Sequence, residues 1–181
     1  SKHQGALWLY GLTEISDAAA ESLSKHQGAL RLGLTSLSDE AAESLSKHQG
    51  SLWLDGLTSL SDEAAESLSK HQGNLRLDGL TSLSGAAAES LSKHQDSLWL
   101  GLTCLSDAAA ESLSKHQGDL WVPGLTALSD AAAEGVGKDA GNNLALDGLT
   151  SLSDEAADSL LSVCLSLGFI SLSKTMAQGL V

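Results

Sequence analysis

A phrase opens the chain as SKHQG at Ser1 and returns at Ser24, Ser46, Ser69, Ser92 and Ser114, with Asp96 for its glycine in the copy at Ser92, at intervals of 23, 22, 23, 23 and 22 residues. A chain that copies itself at so short a fixed period builds units too small to enclose a core alone. They bury their apolar side chains by stacking, each on the next. The expected architecture is one elongated α/β repeat domain over residues 1–181, in coils 1–23, 24–45, 46–68, 69–91, 92–113, 114–136, 137–160 and 161–181. The seventh unit lacks SKHQ but keeps LALDGLTSLSDEAADSL, and the eighth keeps only an apolar skeleton from Leu165 to Leu180, with Phe169 at a leucine position.

Two periodicities follow one another inside each unit. Leu30-Arg31-Leu32 alternates apolar and polar as a half-buried strand does, and strands repeated once per coil must run parallel. GLTSL then turns the chain with two further leucines. Ser38 stands where a helix cap belongs, Asp39 and Glu40 follow in the positive first turn, and Ala41, Ala42 and Leu45 form a narrow apolar stripe. Lys47 falls near the negative end, and Gly50 is expected to stop the helix in a left-handed conformation. SKHQG reads as a helix end copied once per coil.

The unit LRLGLTSL, Leu30 to Leu37, resembles the leucine-rich repeat pattern L-x-L-x-x-N-x-L, in a short bacterial-type variant with Thr35 at the position of the usual asparagine. The resemblance implies a right-handed solenoid of about eight coils, with a concave parallel sheet, convex short helices and a concave face that binds other macromolecules. Longer units such as LWLDGLTSL, Leu52 to Leu60, carry one inserted residue that should bulge the strand exit.

Charge narrows the partner classes. Of 23 acidic residues, sixteen occupy two helix positions: Asp17, Asp39, Glu40, Asp62, Glu63, Asp107, Asp130, Asp154 and Glu155, then Glu21, Glu43, Glu66, Glu89, Glu111, Glu134 and Asp158. The net charge of −13 is thus mainly a repeated solvated face. Ten scattered basic residues do not supply the clustered cations that phosphates require, so nucleic acid is not an expected partner.

The middle strand position reads Trp8, Arg31, Trp53, Arg76, Trp99, Trp121, Ala145 and Ser166 through successive coils. Alternation turns these side chains away from the core, and strands about 4.8 Å apart set each guanidinium between two indoles. Tyr10, Asp55, Asp78, Asp119 and Asp147, with the small Ala6, Ala29, Ser51, Ser97, Gly33 and Gly101, form a polar margin. Trp, Tyr and Arg dominate binding hot spots, so a concave stripe of Trp8, Tyr10, Arg31, Trp53, Asp55, Arg76, Asp78, Trp99 and Trp121 is the candidate surface for a protein or carbohydrate partner. The competing reading is a scaffold or self-assembly repeat whose stripe only covers its sheet.

Other rows point away from chemistry. His3, His26, His48, His71, His94 and His116 form a ladder, but neighbouring helices about 8–10 Å apart do not converge nitrogens to the roughly 2 Å that zinc needs. A helix-end hydrogen-bonding role is expected, with no metal and no cofactor. No recurring nucleophile or acid pair stands beside them, so no enzymatic activity is expected. The threonine row from Thr13 to Thr150 has one member per coil and is expected to bond the adjacent backbone, not ice. Cys104 and Cys164 lie three coils apart, roughly 14 Å and beyond disulfide reach.

The apolar run Leu160 to Ile170 is broken by Ser162, Ser166 and Gly168 and is too short to cross a bilayer, so no membrane insertion is expected. Ser1 falls inside a repeat and no signal pattern precedes it, so the chain reads as a fragment of a longer protein, its compartment open. Leu7, Leu9, Leu12 and Ile15 at one end, and Lys174, Gly179, Leu180 and Val181 at the other, lack polar caps, which suggests homo-oligomer contacts through the ends. Two glycines in GVGKDAGNN, Gly135 to Asn143, should shorten the sixth helix.

Overall fold

Each L-x-L phrase becomes a strand and each S-D-x-A-A phrase a helix in the computed structural model, which describes residues 5–139, 144–167 and 170–171. The order is β1 (Leu7–Leu9), α1 (Asp17–Ser24), β2 (Leu30–Leu32), α2 (Asp39–Ser46), β3 (Leu52–Trp53), α3 (Asp62–Ser69), β4 (Leu75–Leu77) and α4 (Gly85–Leu91). It continues with β5 (Leu98–Leu100), α5 (Asp107–Leu113), β6 (Leu120–Trp121), α6 (Asp130–Asp139), β7 (Leu144–Ala145), α7 (Asp154–Leu167) and β8 (Ile170–Ser171). The strands form one open parallel sheet in chain order, and each helix packs on the next, as an α/β repeat solenoid requires. His3, Phe169, Lys174, Gly179, Leu180 and Val181 lie outside the described residues.

The core is a repeated leucine spine, with Val122 at a leucine position of the sixth coil. Leu30, Leu32, Leu34, Ala41, Ala42 and Leu45 of the second coil are fully buried, and so are their counterparts Leu52, Leu54, Leu57, Ala64, Ala65 and Leu68. A buried Leu contributes about 1.5–3 kcal/mol. At the exposed start of the array Leu7, Leu9, Leu12 and Ile15 are only partly buried, because packing atoms lie on one side of them.

Helix starts do more than cap themselves. Ser38 accepts the Ala41 N–H in the expected cap and also donates its hydroxyl to Asp17 Oδ1 of the preceding helix at 2.6 Å. The same bond runs from Ser61 to Asp39, Ser84 to Asp62, Ser129 to Asp107 and Ser153 to Asp130. First-turn aspartates are therefore acceptors between coils as well as dipole partners, and Gly85, standing where coil four should have its aspartate, interrupts that rail. Glu21, Glu43 and Glu66 pair with Lys25, Lys47 and Lys70 one turn on, and these lysines, by hydrogen bond and charge, hold the carboxyls below their usual range.

Helix ends differ from expectation in one respect. The α2 helix stops at Ser46 with Lys47 as a right-handed cap, and Gly50 (φ +140°) sits further on, in the turn that enters β3. The left-handed residue therefore aims the incoming strand and does not end the helix. Gln27, Gln49 and Gln72 bridge in parallel through their backbones there, so SKHQG builds a second short ladder between coils.

The inserted residue of the longer units is absorbed in a tight turn, not a bulge. Leu57 N–H bonds Leu54 C=O across Asp55-Gly56 (3.3 Å), and Leu12, Leu80, Leu125 and Leu149 repeat the pattern. These turns protrude over the shorter neighbour: a Cβ on Gly33 would stand 2.0 Å from the Tyr10 carbonyl oxygen, and one on Gly101 would stand 1.7 Å from that of Asp78.

The sixth helix is lengthened, contrary to expectation, and runs ten residues. Gly135 is buried there, with space for its Cβ only 3.1 Å from Glu111 N, so the missing side chain lets α6 lie close on α5 and propensity yields to packing. The α7 helix reaches Leu167 and takes Ser166 with it, so Ser166 is not a strand residue. Register gives its place to Ser171, opposite Ala145.

Gly101→Ala is expected to lower stability by about 1–3 kcal/mol through backbone overlap. Gly85→Asp, at a site with open space around it, should raise stability by about 0.5–1 kcal/mol by supplying the missing acceptor for Ser106 and a better helix former. Urea midpoints of the two variants check both signs.

Candidate functional site on the sheet face

Parallel pairing sets the stripe. Trp8 lies opposite Arg31, Arg31 opposite Trp53, Trp53 opposite Arg76, Arg76 opposite Trp99, Trp99 opposite Trp121, and Trp121 opposite Ala145. The row is continuous, as alternation dictates, but its members are unequally open. Trp8 is 58% exposed and Tyr10 54%, whereas Trp53, Trp99 and Trp121 are half-buried by their neighbours.

Contacts within the row correct the expectation that each guanidinium lies between two indoles. Arg31 lies 4.8 Å from the Tyr10 ring centre and 5.0 Å from that of Trp53, and its Nη1 donates to Tyr10 Oη at 3.4 Å. Tyr10 thus belongs to the row and not to its margin. Arg76 approaches Trp53 at 5.9 Å from the opposite neighbouring strand, so an arginine flanks that indole on each side. Trp99 stacks on Trp121, 5.9 Å between centres and 8° from parallel, and Trp8 meets Tyr10 at 6.1 Å and 56°. Such contacts contribute about 0.5–1.5 kcal/mol each.

Asp55 and Asp78 are not margin residues either. The strand-exit turns carry them over the arginines: Arg31 Nη2 lies 2.6 Å from Asp55 Oδ2, Arg76 Nε lies 3.5 Å from Asp55 Oδ1, and Arg76 Nε donates to Asp78 Oδ2 at 2.6 Å. Burial pushes the Asp55 carboxyl above its usual range, opposed by the charges of Arg31 and Arg76. The centre of the stripe is a charge-balanced chain, Arg31–Asp55–Arg76–Asp78. Within it the buried Arg31 Nε, both Asp55 carboxylate oxygens and Asp78 Oδ1 have no hydrogen-bond partner, and neither has Trp121 Nε1 further along the row.

Tyr10, Asp55 and Asp78 owe these positions to the one extra residue in their units, which was the available sequence signal. In coil six that extra residue is Pro123, which brings no charge beside Trp121. Asp119 is half-buried and Asp147 exposed. The Thr35, Thr103 and Thr150 hydroxyls bond the carbonyls of Thr13, Thr81 and Thr126 in the preceding coil, as expected. Cys104 is an exposed free thiol. Among the described residues no His, Cys, Asp or Glu cluster could hold a metal ion, and no helix is long and apolar enough to cross a membrane.

Fold and site together define a repeat solenoid that displays an aromatic and arginine row on its sheet. Comparison with family models, with curated proteins and with solved structures returns no match.

Acrylamide should quench one tryptophan far more than the other three. Trp8→Phe is expected to remove that accessible fraction in a Stern–Volmer measurement and leave the shielded emission of Trp53, Trp99 and Trp121.

Proposed function

We propose that the chain is a non-enzymatic recognition module of leucine-rich-repeat type that binds a protein segment along the sheet face. The supporting observation is an in-register row of Trp and Arg on the sheet face, joined by Tyr10 and open to solvent at Trp8 and Tyr10. Hot-spot chemistry favours the same residue types.

Ring geometry favours protein over glycan. A sugar stacks on an open aromatic face, whereas arginines flank Trp53 on both sides and Trp99 faces Trp121. Edges and the exposed Trp8–Tyr10 pair are what remain for contact, and these suit side chains better than pyranose rings. The second reading, a scaffold whose stripe is only cover, draws on the ion pairs that Asp55 and Asp78 already make with both arginines.

Selection of displayed linear peptides on the wild-type chain, with a glycan array in parallel, decides among these. Peptides whose binding weakens at least about ten-fold, or about 1.4 kcal/mol, in Trp99→Ala and Trp8→Ala are expected. Glycan hits lost in the same variants overturn the protein reading, and no stripe-dependent ligand with a loss of stability alone establishes cover.

A further inference from the structure

The helix-exit turns carry a continuous feature of their own. His26, His48, His71, His94 and His116 stack as five rings with centres 6.1–6.3 Å apart and planes within 4° of parallel. His26 is partly exposed, while the other four are 0–3% exposed. Nε2 of His26, His48 and His71 lies 2.7, 2.8 and 2.9 Å from the carbonyl oxygens of Gly5, Gly28 and Gly50 in the preceding coil. A carbonyl only accepts, so Nε2 carries the proton in these rings and Nδ1 is the bare nitrogen. For His48 and His71 that Nδ1 is buried without a partner, and in His94 and His116 neither nitrogen has one.

We propose that this imidazole ladder is an acid-sensitive clasp, which holds the helix-exit seam between coils closed while neutral and releases it on taking up protons. A second proton on His48 or His71 would place charge on an almost wholly buried ring about 6 Å from another ring able to charge, and the backbones of Ser24 and Ser46 that favour it weigh less than that burial. The charged groups near the ladder do not offset it. Glu43, Lys47 and Lys70 line the groove beside His48, and Glu66, Lys70 and Lys93 that beside His71, with the glutamates already paired to lysines. Asp96, which stands at the glycine position of its coil and accepts the Gly73 N–H at 2.8 Å, is the one carboxylate whose field favours charge on His71 and His94.

Burial, the largest influence, lowers the proton affinity of His48, His71 and His116, and takes His94 to about 4. An opened imidazole protonates near 6.5. The open state therefore binds more protons throughout the interval between these values, so the closed seam is fully stable above about pH 6.5 and weakens as pH falls toward about 4. Each buried ring adds up to about a ten-fold rise in the open population per pH unit.

Peptide-resolved amide exchange on the intact chain, corrected for intrinsic rates, at about pH 7.5 and about pH 5.5 tests this. Protection is expected to fail first over residues 47–50, 70–73 and 92–97 while β2 to β5 stay protected. Asp96→Asn removes a carboxylate that favours charge on the closed rings, so it should shift the transition to higher pH, beyond any loss of protection already present at about pH 7.5. His71→Gln combined with His94→Gln should flatten it. Equal loss in strands and seam, or an unshifted transition in Asp96→Asn, overturns the proposal. Should the double variant fail to fold, carbon-13 imidazole titration of the wild type decides, and rings titrating independently near 6.5 in the closed protein would sink the clasp.

Discussion

Every coil depends on leucines it cannot enclose alone. Leu30, Leu32, Leu34 and Leu45 reach full burial because Leu52, Leu54, Leu57 and Leu68 close over them and the next coil closes over those in turn. This dependence on neighbours forces identical backbone paths in successive units, and identical paths place equal sequence positions in rows. The sheet stripe, the Ser–Asp rail and the imidazole ladder are all consequences of that single requirement. A side chain that suits one coil meets its own kind, or its complement, in the next.

Rows of like residues carry an energetic problem, and the chain meets it differently on each face. On the sheet, arginines alternate with tryptophans through five coils and are neutralised by Asp55 and Asp78 from the strand-exit turns. At helix starts each aspartate accepts from a serine one coil on, which converts a row of like charge into hydrogen bonds. At helix ends the imidazoles avoid repulsion only by staying neutral, which couples that seam to protons. The serine hydroxyls hold the carboxylates in place without neutralising them, so the net charge of −13 remains on the molecule.

Much of the fold was legible from residues alone, for a physical reason: period, strand alternation and capping are local rules, and repetition multiplies each signal. Leu30-Arg31-Leu32, Ser38 and Ala41-Ala42-Leu45 each specify their element within a few residues. The misreadings occurred where one coil acts on another. Gly135 looked like a helix breaker, yet α6 runs through it, and its missing side chain leaves room for α5. Ser166 looked like a strand residue, yet the helix before it ran on. Gly50 looked like a helix stop, yet it turns the chain into the following strand.

The amino-acid sequence by itself determined the coil, its strand and helix, the leucine spine and the outward row, since these follow from spacing along the chain. Tertiary structure decided which ring lies on which cation, that Asp55 and Asp78 bridge the arginines, and that four imidazoles are buried. Those outcomes depend on angstrom-scale offsets between coils. One inserted residue at a strand exit moves a carboxylate across the gap to the next coil, and no pattern read along a single chain measures that distance.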